Sequence, residues 1–505
     1  MSPTTNPGLV MGLYFSPRGG SAQVTRYLCR ALEPGRWAPT LFAGSMGNSA
    51  DTANARRFFR GIRCEALDYS PARSAWDRGA DPMAATVPMH ASFEAKDGVP
   101  DRRFCELDDV AFDRQVASWR RFFASRPGAV PSIVHLHHLT PMHEAVRLLW
   151  PGVPVVTHLH GTELKMLASL DGLPGEATDE PKGRWAGHWV ERMRHWAAAS
   201  DRVVVVSAQD GCLARQLLPV ESARISTIGN GVDTHVFTPR PVAASERLAR
   251  WRHWLVDDPR GWCPGGRQGS ISYRASDLTA FTDHNGQPVP VVLFAGRFMR
   301  FKRLQLMIEA HHALRSTSTR RSVLVIAGGF PGEWEGEHPY DTVRRLGAEG
   351  VFFVGWRDHD DLADILRCSD VFAAPAVDEP FGLVYLEAMA AGLAPIATAT
   401  GGPATFVNTD SGRPTGWLVP PDDLAATSRA LGEAVSDGSE RLIRGGRAAR
   451  FVRDHYSWEA TAAAFTALYD DVIGDVSDVR RDQASGEAND NMVPVPSSGR
   501  RCRTN

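Results

Sequence analysis

Residues 369–402 read SDVFAAPAVDEPFGLVYLEAMAAGLAPIATATGG, and this stretch decides how the rest of the chain is understood. The apolar run Val371 to Ala374 stops at Pro375 and predicts a buried strand. An acidic loop, Val377-Asp378-Glu379, comes next. Pro380 suits the first turn of a helix, where a missing N–H costs nothing. The pattern predicts that helix from Pro380 to Ala391, closed by Gly392 as a C′ glycine. A second apolar strand, Ala394 to Ala397, leads into a Gly401-Gly402 turn.

This strand–loop–helix–strand unit leaves backbone N–H groups without helical partners at Phe381, Gly382 and Leu383. Free amides and the helix dipole together make such a terminus a seat for an anion. Two carboxylates bracket it, Glu379 in the loop and Glu387 in the helix, the latter roughly 8–10 Å from the predicted helix start. An anion bound there has one carboxylate on each side. A nucleotide sugar has the matching layout of sugar hydroxyls, diphosphate and ribose hydroxyls.

The run EPFGLVYLEAMAAG (379–392) resembles the Glu-x7-Glu signature of the retaining glycosyltransferases of family four. The resemblance implies an α/β chain of the GT-B fold, with two doubly wound Rossmann-like domains facing a central cleft. Alternating strand and helix patterns in both halves of the sequence point the same way.

Composition sets outer bounds. A chain of 505 residues, 43% hydrophobic and 23% charged, is an ordinary globular balance with room for more than one domain. A net charge of −2 argues against nucleic acid as the main partner. The seven cysteines are scattered, with no C-x-x-C, which fits reduced thiols in a cytoplasm. The N-terminus shows neither a basic n-region nor a sustained apolar core, and no run of apolar residues is long enough to span a membrane.

Along the chain, Val10 to Phe15 predicts the first strand, and Gly19-Gly20 opens the helix behind it. Paired glycines there let backbone approach a ligand, and the spacing is not that of a dinucleotide fingerprint. Residues 41–105 are poorly patterned and read as a long excursion. Two basic–aromatic clusters, 56–60 and 119–123, could touch an anionic lipid surface. Amphipathic helices with inward aromatics and solvated arginines explain them better. Ile133 to His138 and Val153 to His160 predict parallel strands ending in histidines, where ligands of open α/β sheets sit. His135, His137, His138, His158 and His160 could cluster, but no Asp or Glu of ligand spacing accompanies them, so no metal is expected.

By resemblance, Val156 to Glu163 matches the family's T-x-H-G stretch, which puts His160 at the donor sugar. Gly229-Asn230-Gly231-Val232-Asp233 is similar to the linker between the two domains, and Gly296-Arg297 to Lys302 to the family's diphosphate element. Arg303 stands there where the family mostly has glycine. Residues 243–289 depart from the family and read as an elaborated hinge, an acceptor lid or an oligomer contact. The expected division is 1–235 and 236–456, with a closing helix, 457–473, that returns to the first domain and a disordered tail, 474–505.

The implied roles follow. Arg297 and Lys302, helped by the amides of Phe381, Gly382 and Leu383, take the diphosphate; Glu387 takes the ribose, Glu379 the sugar hydroxyls, and His160 lies near the reacting carbon. Gly19 and Gly20 border the phosphate or acceptor, and Asn230 completes the binding set. The expectation is a cytoplasmic enzyme, at most peripheral to a membrane. It would use a UDP- or GDP-sugar, no cofactor and no metal, and a small or lipid-linked acceptor. A phosphorylase using inorganic phosphate, or a non-catalytic module on the same scaffold, are the alternatives.

Overall fold

The computed structural model describes residues 8–17, 19–94, 99–125, 130–172, 183–318, 320–410 and 412–490. Among the described residues thirteen strands form two fully parallel sheets. The first holds β1 (Leu9–Leu13), β2 (Pro39–Ser45), β3 (Cys64–Asp68), β4 (Ile133–His137), β5 (Val155–His158), β6 (Arg202–Val205) and β7 (Ile225–Thr227), in the order β3-β2-β1-β4-β5-β6-β7. The second holds β8 (Val291–Ala295), β9 (Val323–Ala327), β10 (Val351–Gly355), β11 (Val371–Ala373), β12 (Pro395–Thr398) and β13 (Trp417–Val419), in the order β10-β9-β8-β11-β12-β13. Both orders are doubly wound. Each has a switch point, between β1 and β4 and between β8 and β11, where strand ends open a crevice for a ligand.

Strand alternation sorts side chains onto two faces. In β1, Leu9, Met11 and Leu13 face a core shared with the helix Gly19–Leu32 and with Phe465, Tyr469 and Val472 of the helix Trp458–Asp490. The opposite face of that sheet packs on Trp119, Phe123, Trp189 and Trp196. These tryptophans and Phe123 point inward while Arg120 and Arg121 stay exposed, which is the amphipathic arrangement.

Two expectations need correction. Residues 41–105 are no plain excursion, because β2 runs to Ser45 and β3 occupies Cys64–Asp68. β3 is an edge strand of mostly half-buried residues, so it lacks the apolar run that marks its central neighbours. The final helix continues to Asp490, beyond the 474 at which the tail was placed. Polar, small residues there argued for disorder by composition, yet no proline interrupts the helix. Residues 491–505 lie outside the described residues.

The segment 243–289 belongs to the core of the second lobe. The helix Ala244–Arg252 runs into a wider turn, His253–Asp257, and buries Trp251, Trp254 and, further on, Trp262. It covers β10, the edge strand of that sheet: the Tyr273 hydroxyl accepts from the Phe353 N–H at 2.8 Å. The buried Arg357 donates to Asp258 at 2.7 Å and to the Trp254 carbonyl at 3.0 Å. An exposed edge would otherwise invite pairing with another chain. Trp251 stacks on Phe281 and meets Trp254 edge-on. Trp251→Ala should therefore cost about 3–5 kcal/mol, read as a lowered denaturation midpoint.

Candidate active site

The loop after β11 is tied down from three sides. The Tyr385 hydroxyl donates to the Ala374 carbonyl and the Thr398 hydroxyl to the Ala376 carbonyl. The Gly402 N–H donates to the Glu379 carbonyl at 2.7 Å. Gly401 has φ +78°, and a Cβ on it would stand 2.7 Å from that same carbonyl oxygen, so this position requires glycine.

The helix begins later than its proline suggested. It spans Leu383–Ala390, because Gly382 takes the left-handed conformation (φ +89°) as N-cap and breaks the run from Pro380. Glu387 is thus about 6 Å into the helix, nearer its start than Pro380 implied. At the other end Gly392 (φ +90°) donates to Met389 at 3.0 Å and Leu393 to Ala388 at 2.9 Å, a Schellman closure. Among the described residues no hydrogen bond is donated by the N–H of Phe381, Gly382 or Leu383. Three amides there are available to an anion.

Two cations stand at this terminus. Lys302, in the single turn Arg300–Lys302 after β8, pairs with Glu379, both side chains nearly buried. Arg297 reaches across to Glu94 of the first lobe, at 3.1 and 3.5 Å. Arg303, in the place of the usual glycine, does adopt positive φ (+52°). Asp422 holds its guanidinium at 2.6 and 3.1 Å, and Arg303 also donates to the Arg300 carbonyl at 3.0 Å, which offsets the strain.

Glu387 is buried, and burial pushes its carboxyl pKa up while the neighbouring His359, Nε2 at 3.6 Å, pulls it back. His359 is also linked through Nδ1 to the Tyr27 hydroxyl at 3.1 Å, which ties the first helix of the other lobe to this carboxylate.

From the first lobe, β5 delivers His160. Gly161 (φ +91°) caps the next helix, Thr162–Asp171, and a Cβ there would meet the Pro380 ring at 2.6 Å. That contact sets His160 beside the Glu379 loop. Glu163 fixes the turn by accepting from the His160 N–H at 2.9 Å and pairing with His138 at 3.1 Å. Burial opposes the Glu163 charge, and His138 together with these hydrogen bonds more than compensates, leaving its pKa low. The His160 ring meets His137 Nδ1 at 2.9 Å through its Nε2. Burial and the surrounding imidazoles keep His160 neutral.

The remaining expected residues are more dispersed. Gly19 and Gly20 open the first helix at the end of β1, exposed, and a Cβ on either would meet nothing within 4 Å. Packing alone therefore does not demand them, although Gly19 has φ +76°. Asn230 is buried where the linker crosses 456–458, with Val232 donating to the Tyr456 carbonyl at 2.8 Å, and it lies in the hinge. Among the described residues no bond joins it to Lys302, Glu379 or Glu387.

Four residues escaped the sequence reading: Glu94, His359, Gln209 and Asp210. None sits in a local pattern that marks it, since each meets the site only through folding. Gln209 spans the lobes, accepting from the Gly401 N–H at 2.7 Å and donating to Asp378 at 3.3 Å. Asp210 is buried beside Gly161, with its Oδ2 unpartnered among the described residues.

Comparison with known proteins gives the family. Residues 94–236 match the family model described as Glycosyltransferase Family 4, and 281–451 the one described as Glycosyl transferases group 1. The chain is 30% identical over 335 residues to a D-inositol 3-phosphate glycosyltransferase of Kineococcus radiotolerans, covering 64% of this chain and 67% of that one. It belongs to glycosyltransferase family four. A second such relative, from Catenulispora acidiphila, is 30% identical over 345 residues, or 66% of this chain and 70% of its own. Solved structures share the GT-B fold. Sucrose-phosphate synthase of Thermosynechococcus elongatus has a TM-score of 0.63 at 18% identity over 92% of this chain and 99% of its own. Anabaena HepE, solved with UDP and glucose, has a TM-score of 0.60 at 14% identity over 92% and 100%. This family-four chain is a glycosyltransferase, and among its described residues no helix is long and apolar enough to cross a membrane.

Asp210 gives a pH signature. Burial, and then the charge of Glu163, raise its pKa to about 7, against the pull of Lys165 and the Ser207 hydrogen bond. The folded pKa lies above the unfolded one, so the native state binds the extra proton between roughly pH 4 and 7 and loses stability as pH rises through that window. Asp210→Asn should be more stable than the native chain above pH 7. That gain should shrink toward pH 5, as measured by thermal unfolding in a pH series.

Proposed function

We propose that this glycosyltransferase moves a sugar from a nucleoside-diphosphate donor, a UDP- or GDP-sugar, with retention of anomeric configuration. The observation that carries this reading is the helix terminus at 381–383, with Lys302 and Arg297 in front of it and a carboxylate to either side. The free amides and both cations suit a diphosphate. Glu387 suits ribose hydroxyls, Glu379 and His160 the transferred sugar. HepE, of the same fold, was solved with UDP.

In this reading the donor exchanges partners with the protein. Lys302 and Arg297 turn from Glu379 and Glu94 to the diphosphate, and Glu379 is released to accept from sugar hydroxyls. Negative charge grows on the leaving phosphate as the glycosidic bond breaks, so the two cations and the amides bind the transition state more tightly than the ground state. The family resemblance implies that the leaving phosphate takes the acceptor's proton on the same face, which requires no carboxylate nucleophile. Two fixed cations do the work for which other transferases use a divalent ion, and no metal is required at the diphosphate.

A small hydroxylated acceptor is favoured over a lipid-linked one, because the relatives' names specify D-inositol 3-phosphate. It would enter from the first lobe beside Gly19 and Gly20.

Thermal shift with UDP, GDP, ADP and inorganic phosphate tests the donor class. One nucleoside diphosphate should raise the Tm of the native chain, and Lys302→Ala and Glu387→Ala should each remove most of that shift. A response to inorganic phosphate alone would replace this reading by phosphorolysis.

A further inference from the structure

Under the closing helix, on the inner face of the first sheet, three histidines converge. His135 and His137 lie two apart on β4 and so point to one face, and His158 pairs in register with His137 from β5. All three are fully buried. Their rings are packed at centroid distances of 4.7, 5.2 and 5.4 Å, and Phe465 of the helix Trp458–Asp490 closes over His135 and His158. Phenylalanines would fill such a place without polar cost.

Four of the six ring nitrogens have no hydrogen-bond partner among the described residues: Nε2 of His135, Nε2 of His137 and both nitrogens of His158. Each buried orphan costs on the order of 1–3 kcal/mol, and such groups call for a ligand that satisfies them. The partnered nitrogens are as informative. His135 Nδ1 is held by the Tyr469 hydroxyl at 2.6 Å, and His137 Nδ1 by His160 at 2.9 Å. Fixing one ring nitrogen so that the other presents its lone pair is how metal-bound histidines are oriented.

We propose that His135, His137 and His158 bind a zinc-class divalent cation, a site separate from the donor cleft. One ligand nitrogen from each ring lies within 4.8 Å of the others. Zinc with nitrogens at 2.0–2.1 Å needs them roughly 3.4 Å apart, so rotation of the rings would have to draw them in by up to about 1.4 Å. An imidazole-only set suits zinc, with cobalt(II) as its spectroscopic stand-in. Three imidazoles would leave the fourth position of a tetrahedral ion to a water or hydroxide, and a hydroxide would offset part of the cation's charge. The expectation of no metal rested on the missing carboxylate, and tri-histidine ligation needs none.

The ion would pin β4 and β5 beneath the closing helix. Through His137 it would also hold the ring of His160. It is a structural ion taken up as the chain folds, since the finished site has no exposed ligand.

The test unfolds the full chain in denaturant with a chelator and refolds it with zinc, with cobalt(II) or with neither, followed by gel filtration. The native chain should retain about one ion, melt higher than the metal-free refold, and give the visible bands of four-coordinate cobalt without thiolate charge transfer. His158→Phe should lose both the ion and the bands. A native chain that retains no metal overturns the proposal, as does His158→Phe binding as much as the native chain. Should His158→Phe fail to fold, the cobalt spectrum decides: an octahedral or thiolate-containing spectrum also overturns it. Nucleotide binding is measured separately, so failure of the donor reading leaves the metal count unaffected.

Discussion

The molecule depends on close approach between two loops that belong to different lobes. Gly161 of the first lobe meets Pro380 of the second, and within the second lobe Gly401 meets the Glu379 carbonyl, each at a distance that a Cβ would not tolerate. These bare backbones let the carboxyl ends of β5, β11 and β12 crowd around one helix terminus. Lys302 and Glu379, which would be worth little to each other at an exposed surface, are thereby paired nearly out of water, where charge interacts strongly, while Arg297 keeps 45% of its side chain exposed. The cleft balances its own charges, Lys302 against Glu379 and Arg297 against Glu94. A diphosphate is the kind of anion that can replace both carboxylates at once.

The two lobes contribute unequally to this cleft. The second supplies the helix terminus, Lys302, Arg297 and both carboxylates. The first supplies His160, Glu94 and the glycines before its first helix. Gln209 and Tyr27 bridge the two, to the Gly401 loop and to His359. The linker at 229–233 is clasped by 456–458, where the Val232 N–H donates to the Tyr456 carbonyl at 2.8 Å.

Much of this was legible in the sequence because it is local. Two strands of the second sheet are plain apolar runs, and β11 and β12 fall within one residue of the predicted Val371–Ala374 and Ala394–Ala397. The carboxylate spacing and the C′ glycine at 392 are likewise written in consecutive residues. What escaped is non-local. β3 is a half-buried edge strand with no run to mark it, and Gly382 starts the helix three residues late because its left-handed conformation overrides the proline signal. The 243–289 segment read as an elaborated hinge, an acceptor lid or an oligomer contact, yet its tryptophans join the core of the second lobe. Glu94 and Asp210 reach the site only through tertiary structure; the clustering of His135, His137 and His158 was legible, because β4 and β5 read as neighbouring parallel strands ending in histidines.

The central claim is that a nucleoside diphosphate displaces Glu379 and Glu94 from the two cations. A crystal structure of the chain with a bound nucleoside diphosphate tests it most directly. The account predicts the distal phosphate on the amides of 381–383, with Lys302 and Arg297 turned onto its oxygens and the ribose on Glu387. A nucleotide bound elsewhere, or bound there with both cations still paired to their carboxylates, would contradict it.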